Sequence, residues 1–368
     1  MNMGINWLIV VILLVGGPFP ANASEPWKRA EAGWRYEWPR DHSVHPDFKT
    51  EWWYFTGNLQ SKDGRTFGYQ LTFFRQGVRQ PGSSPAQSRF VTDSIKFGHF
   101  AVTDVSEGKF QFVQSVKRGA FGEAGFSAGM RLAWLGDWNL ELADDGAFVV
   151  KGAHDGVELN LALENTKPLV VHGERGISVK SAEEGHASHY YSATRLRTRG
   201  TLSTSKGSFD VTGESWFDHE WATNQLAANQ TGWDWFSIQF SDGTELMIYR
   251  LRLKDGTADR ASSGSWIAAD GTVRHLKHDE IAMFPEEFWT STKTGARYPI
   301  GWKVRVESLA LEVAVRTPVR NQELALQPVS YWEGLIDVSG TREGRAVKGH
   351  GYLELTGYAG PIVGISGP

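Results

Sequence analysis

Aromatic and β-branched residues alternate with polar ones in short runs along most of the chain, and Gly-containing turns separate the runs. Alternation with a period of two predicts strands that show one face to a core and the other elsewhere. Glu51-Trp-Trp-Tyr-Phe-Thr-Gly57, Ser61-Lys-Asp-Gly-Arg65 and Thr66-Phe-Gly-Tyr-Gln-Leu-Thr-Phe-Phe-Arg75 read as strand, Asp-Gly turn and strand. The same grammar returns at 97–105, 138–142, 147–150 and 157–163. Residues 80–88, rich in Pro, Gly and Ser, predict a loop, and 121–135 is less regular. Segments with a 3.6-residue period are scarce. The best candidates for short helices are residues 222–229 and 280–289.

The chain also repeats itself. Phe55-Thr-Gly-Asn-Leu-Gln-Ser-Lys-Asp-Gly64 has a counterpart in Phe236-Ser-Ile-Gln-Phe-Ser-Asp-Gly243, and Val211-Thr-Gly-Glu-Ser-Trp-Phe-Asp218 in Val347-Lys-Gly-His-Gly-Tyr-Leu-Glu354. Each half therefore opens with an aromatic hairpin and closes on Val-x-Gly-x-x-aromatic-apolar-acid. This predicts a duplicated all-β unit, residues 24–222 and 223–368, with the extra length of the first copy in loops between 80 and 184. An antiparallel meander that must remove its own edges closes most simply into a barrel. A barrel of about eight strands can hold one small ligand.

The densest chemistry lies at 213–252, where the halves meet. Read as a strand, Ser215, Phe217, His219 and Trp221 share one face, while Glu214, Trp216, Asp218 and Glu220 share the other. Neither face is purely apolar.

Composition narrows the picture. With 368 residues the chain is long enough for two cores. Its 16 Trp and 20 Phe suit aromatic pockets as well as barrel interiors. A net charge of -4 without a basic stripe argues against a nucleic-acid partner. Residues 7–15 are apolar but too few to span a bilayer, and Ala21-Asn-Ala23 is a small-x-small cleavage pattern. These predict a signal peptide over 1–23, cleavage after Ala23, no stable membrane span afterwards, and a periplasmic or secreted protein. No Lys or Arg precedes the apolar run, so a retained anchor is the alternative. With 0 Cys, disulfides and thiol nucleophiles are excluded.

Glu51-Trp-Trp-Tyr-Phe-Thr-Gly57, Trp216-Phe-Asp-His-Glu-Trp221, Gly232-Trp-Asp-Trp-Phe236 and Gly351-Tyr-Leu-Glu-Leu-Thr-Gly-Tyr358 occur in order along nearly the whole mature chain. Together they resemble the AttH-like family, the group related to the carotenoid 1,2-hydratases and often labelled predicted secreted hydrolases. The resemblance implies two tandem lipocalin-like antiparallel β-barrels and an apolar polyene or related substrate, hydrated or cyclised without a cofactor. It carries the His-x-Trp pair of the hydratase branch onto His219 and Trp221, and an aromatic position onto Tyr249. Here Arg250 and Leu251 follow Tyr249, where that branch has an acid.

Hydrating an isolated alkene needs a strong acid, a surface that tolerates a cation, and a held water. A carboxylic acid among Trp216, Phe217, Trp233 and Trp235 would have its pKa raised by desolvation, which makes Asp218 the candidate acid. His219 could hold or deprotonate the water, and Trp221 and Trp235 could face the cation. Trp53, Tyr54, Trp216 and Trp233 are further candidate ligand contacts. Asp218 and His219 could equally pin the junction between the barrels. Glu51 reads as a second acid or, better, as the partner of Arg75. His42 and His45 read as surface residues of a loose lead-in. His186 and His189 have a metal-like spacing, but no acid cluster completes a set, so no metal is expected. Arg250 and Arg252 could hold an anionic head group or lie exposed. Three readings follow: a hydro-lyase or isomerase on an apolar small molecule, a carrier passing such a ligand to an envelope transport system, or a purely structural module.

Overall fold

The computed structural model describes residues 27–80 and 91–362. The proposed signal peptide and most of the 80–88 loop lie outside these residues. Strands dominate, and the helical elements among the described residues are four single-turn 3-10 helices. Two antiparallel sheets result. Strands between Thr50 and Ala222 form a 13-stranded sheet that curls into a nearly closed barrel, and those between Gln230 and Leu355 form a 10-stranded half-barrel.

Both sheets share one plan. In the first, Thr50–Ser61 lies between its hairpin partner Thr66–Gly77 and the closing strand Gly207–Ala222. In the second, Gln230–Phe240 lies between Glu245–Leu253 and Arg345–Leu355. The extra length of the first unit is built largely as strands rather than loops: Ser94–Asp104, Phe148–His154 and Val157–Asn165 stand where alternation predicts strands, and Lys109–Lys117 adds another. Those strands are what carry the sheet around toward closure.

Neither predicted helix forms. Residues 281–290 are the edge strand Ile281–Thr290, paired with Arg297–Val306. Pro285 sits inside it, where a helix would lose a hydrogen bond and an edge strand tolerates it. Residues 223–229 are an irregular crossing between the sheets that buries Leu226 and Ala227.

The mixed faces seen in the sequence follow from this plan. Thr50–Ser61 and residues 215–222 of Gly207–Ala222 are covered on both sides. One side packs into the barrel core with Trp53, Phe55, Phe217 and Trp221. The other meets the second domain in an apolar cluster that includes Tyr54, Tyr190, Trp216, Trp235, Tyr249 and Leu335. At Gly57 any side chain would run into Ser215 and Tyr69, so only glycine fits this double packing. Polar contacts join the domains as well: Gln239 Nε2 donates to the carbonyls of Thr194 and Ser215 at 2.8 and 3.0 Å.

Candidate functional site

A cleft opens beside the inter-domain cluster. Its walls include Trp52, Tyr54, Tyr190, Trp233, Trp235, Tyr249 and Leu251, and four ionisable groups enter it: Asp218, Glu220, Glu354 and Lys180. The space between the walls, counting the open mouth, is about 740 Å³. An apolar cleft with a few convergent polar groups is the usual form of a small-molecule site.

Asp218 is 4% exposed. Tyr190 Oη donates to its Oδ2 at 2.7 Å, Trp216 Nε1 donates to its Oδ1 at 2.6 Å, and Ser192 donates to Oδ1 as well. Burial pushes its pKa up to about 7, against these three donors, and the nearby Glu220 charge adds to the rise. Tyr190 Oη in turn accepts from Trp235 Nε1 at 3.1 Å, so one phenol links the acid to the aromatic wall.

Glu354 is the second acid. Burial also lifts it to about 7, Trp233 Nε1 donates to it at 2.7 Å and works the other way, and the Asp218 and Glu220 charges oppose its ionisation. Burial and the Glu354 charge also raise its cross-strand neighbour Glu333 well above the usual carboxylate range, and Tyr54 Oη donates to it. Glu220 is held differently, in an ion pair with the Lys180 ammonium at 3.0 Å. That ammonium lies 4.4 Å from the centre of the Tyr249 ring. Tyr249 Oη is shared with Ser178 and Ser263.

The remaining candidates divide between the cleft and the barrel side. Tyr54, Trp233, Trp235 and Tyr249 line the cleft, and Trp216 supports Asp218 from beneath. Glu51, Trp53, Arg75, His219 and Trp221 belong to the barrel side. There His219 Nε2 lies 3.0 Å from Glu51 Oε1, and its Nδ1 lies 3.0 Å from the Asp41 carbonyl oxygen. Arg75 Nε donates to Glu51 Oε2 at 3.2 Å, the pairing expected from sequence. Burial lowers the His219 pKa despite the Glu51 contact. Opposite residue parity on one strand thus separates Asp218 from His219, and the structure does not bring His219 and Trp221 into the cleft.

Other expectations change. His42 and His45 are not surface residues: the lead-in folds over the barrel, and its histidines reach Tyr191 and Glu51, both at 2.7 Å. Arg250 and Arg252 both bond to Asp234, so they hold the sheet together. His186 and His189 turn to different carbonyls, those of Gln225 and Gly176. One Gly-x-Ser-x-Gly string, the form of a hydrolase nucleophile motif, stands at 125–129. It does not form a strand-to-helix elbow, because Ser127 bonds the carbonyl of Arg131 between two short strands. Sequence reasoning missed Tyr190, Lys180 and Glu354. Glu354 carried a signal, since it stands in the repeat where Asp218 stands in the first copy.

This fold and site define a two-domain β protein with a buried acid at the domain junction. A model of the AttH-like family matches residues 29–358, and the chain belongs to that family. It is similar to an AttH protein of Nitrosomonas europaea, with 32% identity and a TM-score of 0.81 over 90% of this chain and 99% of that one. Kievitone hydratase from Nectria haematococca shares the fold at 15% identity and a TM-score of 0.70, covering 92% of this chain and 98% of its own. CghA in complex with Sch210972 is more distant, at 13% identity and a TM-score of 0.50 over 92% and 98%. No curated protein matches the chain by sequence.

Proposed function

We propose that the cleft binds an apolar, alkene-bearing small molecule of isoprenoid, polyene or lipid-like character, and that Asp218 protonates it as the first step of a hydration or isomerisation. The observation that carries this reading is a carboxyl group lifted to about 7 inside an aromatic cleft. Such an acid is half protonated at neutral pH and is therefore available as a donor. Its proton would pass to an alkene carbon directly or through Tyr190, leaving a carbocation beside the ring faces of Trp235 and Tyr54. In hydration, water then adds to the cation while ionised Glu354 takes up the released proton. In isomerisation, Glu354 removes a proton from a neighbouring carbon and no water enters. Either way the two carboxyls exchange protonation states and are reset through solvent.

Kievitone hydratase bears a hydratase name on the same fold, which supports the class of reaction but not a substrate. On sequence grounds the reading includes export of residues 24–368, with hand-over of the ligand to an envelope transport system as the non-catalytic alternative. The test is native mass spectrometry with lipid extraction of the mature protein from its own envelope, on wild type, Asp218→Asn and Glu354→Gln. A copurifying apolar molecule that wild type converts and the folded variants retain unchanged supports the enzyme. A ligand that wild type never converts favours the carrier.

A further inference from the structure

We infer that His45, Glu51 and His219 form a binding site for one divalent transition-metal ion of the zinc type, inside the N-terminal barrel and separate from the cleft. From sequence no metal is expected, because no acid cluster completes a set with His186 and His189 and His45 reads as a surface residue. In the structure one ligand atom from each of the three residues lies within 4.8 Å of the others.

The geometry of the two imidazoles carries the argument. His45 Nε2 faces Asp41 Oδ1 at 3.2 Å, and His219 Nδ1 faces the Asp41 carbonyl at 3.0 Å. Both are oxygens that only accept, so each outer nitrogen has an acceptor for its ring's N–H. A neutral imidazole has one N–H and one lone pair. The lone pairs of His45 Nδ1 and His219 Nε2 then point at one carboxylate oxygen, Glu51 Oε1, at 2.7 and 3.0 Å. In the alternative arrangement Tyr191 Oη accepts from His42 Nδ1 at 2.7 Å and donates to His219 Nδ1 at 3.2 Å, while His219 Nε2 donates to Glu51. Without an ion, His45 satisfies both its nitrogens only as an imidazolium between Asp41 and Glu51, its ring centroid 5.5 Å from that of His219. A cation where the three electron pairs converge satisfies them with both rings neutral.

The surroundings fit the same reading. A ligand histidine whose other nitrogen donates to a carboxylate or carbonyl is the usual support of a protein-bound metal. Trp221 stacks on His45 at 3.8 Å and Trp53 on His219 at 4.5 Å, which fixes both ring planes. Arg75 bonds Glu51 through Oε2, and the His45 backbone N–H, at 3.0 and 2.9 Å from Oε1 and Oε2, leaves Oε1 one lone pair for the ion. A surface hollow lined by Trp34, Arg40, Asp41 and Val44 reaches His45 from outside. Two imidazoles and one carboxylate suit zinc or cobalt, and not the all-oxygen preference of calcium or magnesium. The ion would tie the lead-in, through His45, to the first and last strands of the barrel.

The test is titration of chelator-stripped mature protein with Co²⁺, then Zn²⁺. The expected result is one saturating equivalent of Co²⁺ with the visible absorption of a tetrahedral N/O site, displaced by Zn²⁺. Affinity should fall on the order of tenfold to a hundredfold or more in His45→Ala and Glu51→Gln. Zn²⁺ should raise the melting temperature of wild type but not of His45→Ala. Anomalous scattering from Zn²⁺-soaked wild-type crystals makes the test independent of variant folding. A peak between the three side chains supports the site. No stoichiometric binding, binding that survives in both variants, or a peak elsewhere would overturn it. None of these outcomes depends on the reading of the cleft.

Discussion

Asp218 and His219 are sequence neighbours on the strand Gly207–Ala222, yet they face opposite sides of it: Asp218 lines the inter-domain cleft, and His219 is sealed inside the barrel with 0% exposure. Their registers repeat the division. Asp218 lies opposite Tyr54, which also faces the cleft, and His219 opposite Trp53, which faces the barrel core. Substitutions at these two positions should therefore fail in different ways.

Asp218→Asn should abolish turnover while leaving ligand binding and the fold in place. Asn mimics the protonated acid: its amide N–H can donate to Tyr190 Oη, and its oxygen still accepts from Ser192 and Trp216. The loss in kcat should be on the order of a hundredfold or more, the usual size of a general-acid contribution. Quenching of cleft Trp fluorescence by the ligand should remain, and this checks that binding is intact.

Stability should depend on pH through the same group. Asp218 has a folded pKa of about 7 against an ordinary value of 3.8, so between those values the folded chain keeps a proton that the unfolded chain releases. Its contribution therefore becomes less favourable as pH rises through that window and levels off above it, at up to about 1.4 kcal/mol per pH unit. Compared with wild type, Asp218→Asn should gain melting temperature steadily between about pH 4 and about pH 7. Thermal unfolding of both proteins across that range checks the sign.

His219→Ala should act on stability. It removes a buried ring held by Glu51 and Asp41 and leaves the Glu51 oxygen short of a partner. A cost of about 2–4 kcal/mol is expected, read as a lower denaturation midpoint. At temperatures where the variant is folded, the cleft should still quench its Trp fluorescence on ligand addition.

Lys180→Met should destabilise the domain junction. Lys180 is buried, pairs with Glu220, and lies over the rings of Tyr190 and Tyr249. Removing its charge strands the Glu220 carboxylate, a loss of about 3–5 kcal/mol. The double variant Lys180→Met with Glu220→Gln should recover a large part of it, and chemical denaturation of the set provides the check.

Much of the architecture was legible because strand alternation and the repeat are local signals. Trp53 against Tyr54 and Asp218 against His219 were assignable to opposite faces from parity alone. What each face meets was not legible, because that depends on the second sheet docking against Thr50–Ser61 and Gly207–Ala222. The lead-in was misread for a related reason. His42 and His45 carry no periodic signal, and only the folded barrel supplies Tyr191 and Glu51 as their partners. The helix expectation at 280–289 failed because apolar spacing outweighed Pro285, the residue that should have decided it. Glu354 was recoverable by aligning the two closing strands, whereas Lys180 comes from a loop with no motif.

The central claim is that the cleft delivers a proton from Asp218 to carbon. Its most direct test is mass spectrometry of the apolar ligand extracted from the protein, after incubation with folded wild type and folded Asp218→Asn in D2O. The account predicts deuterium on a carbon of the product with wild type, and unlabelled, unconverted ligand with the variant. Conversion without carbon-bound deuterium, or equal labelling by Asp218→Asn, would contradict it.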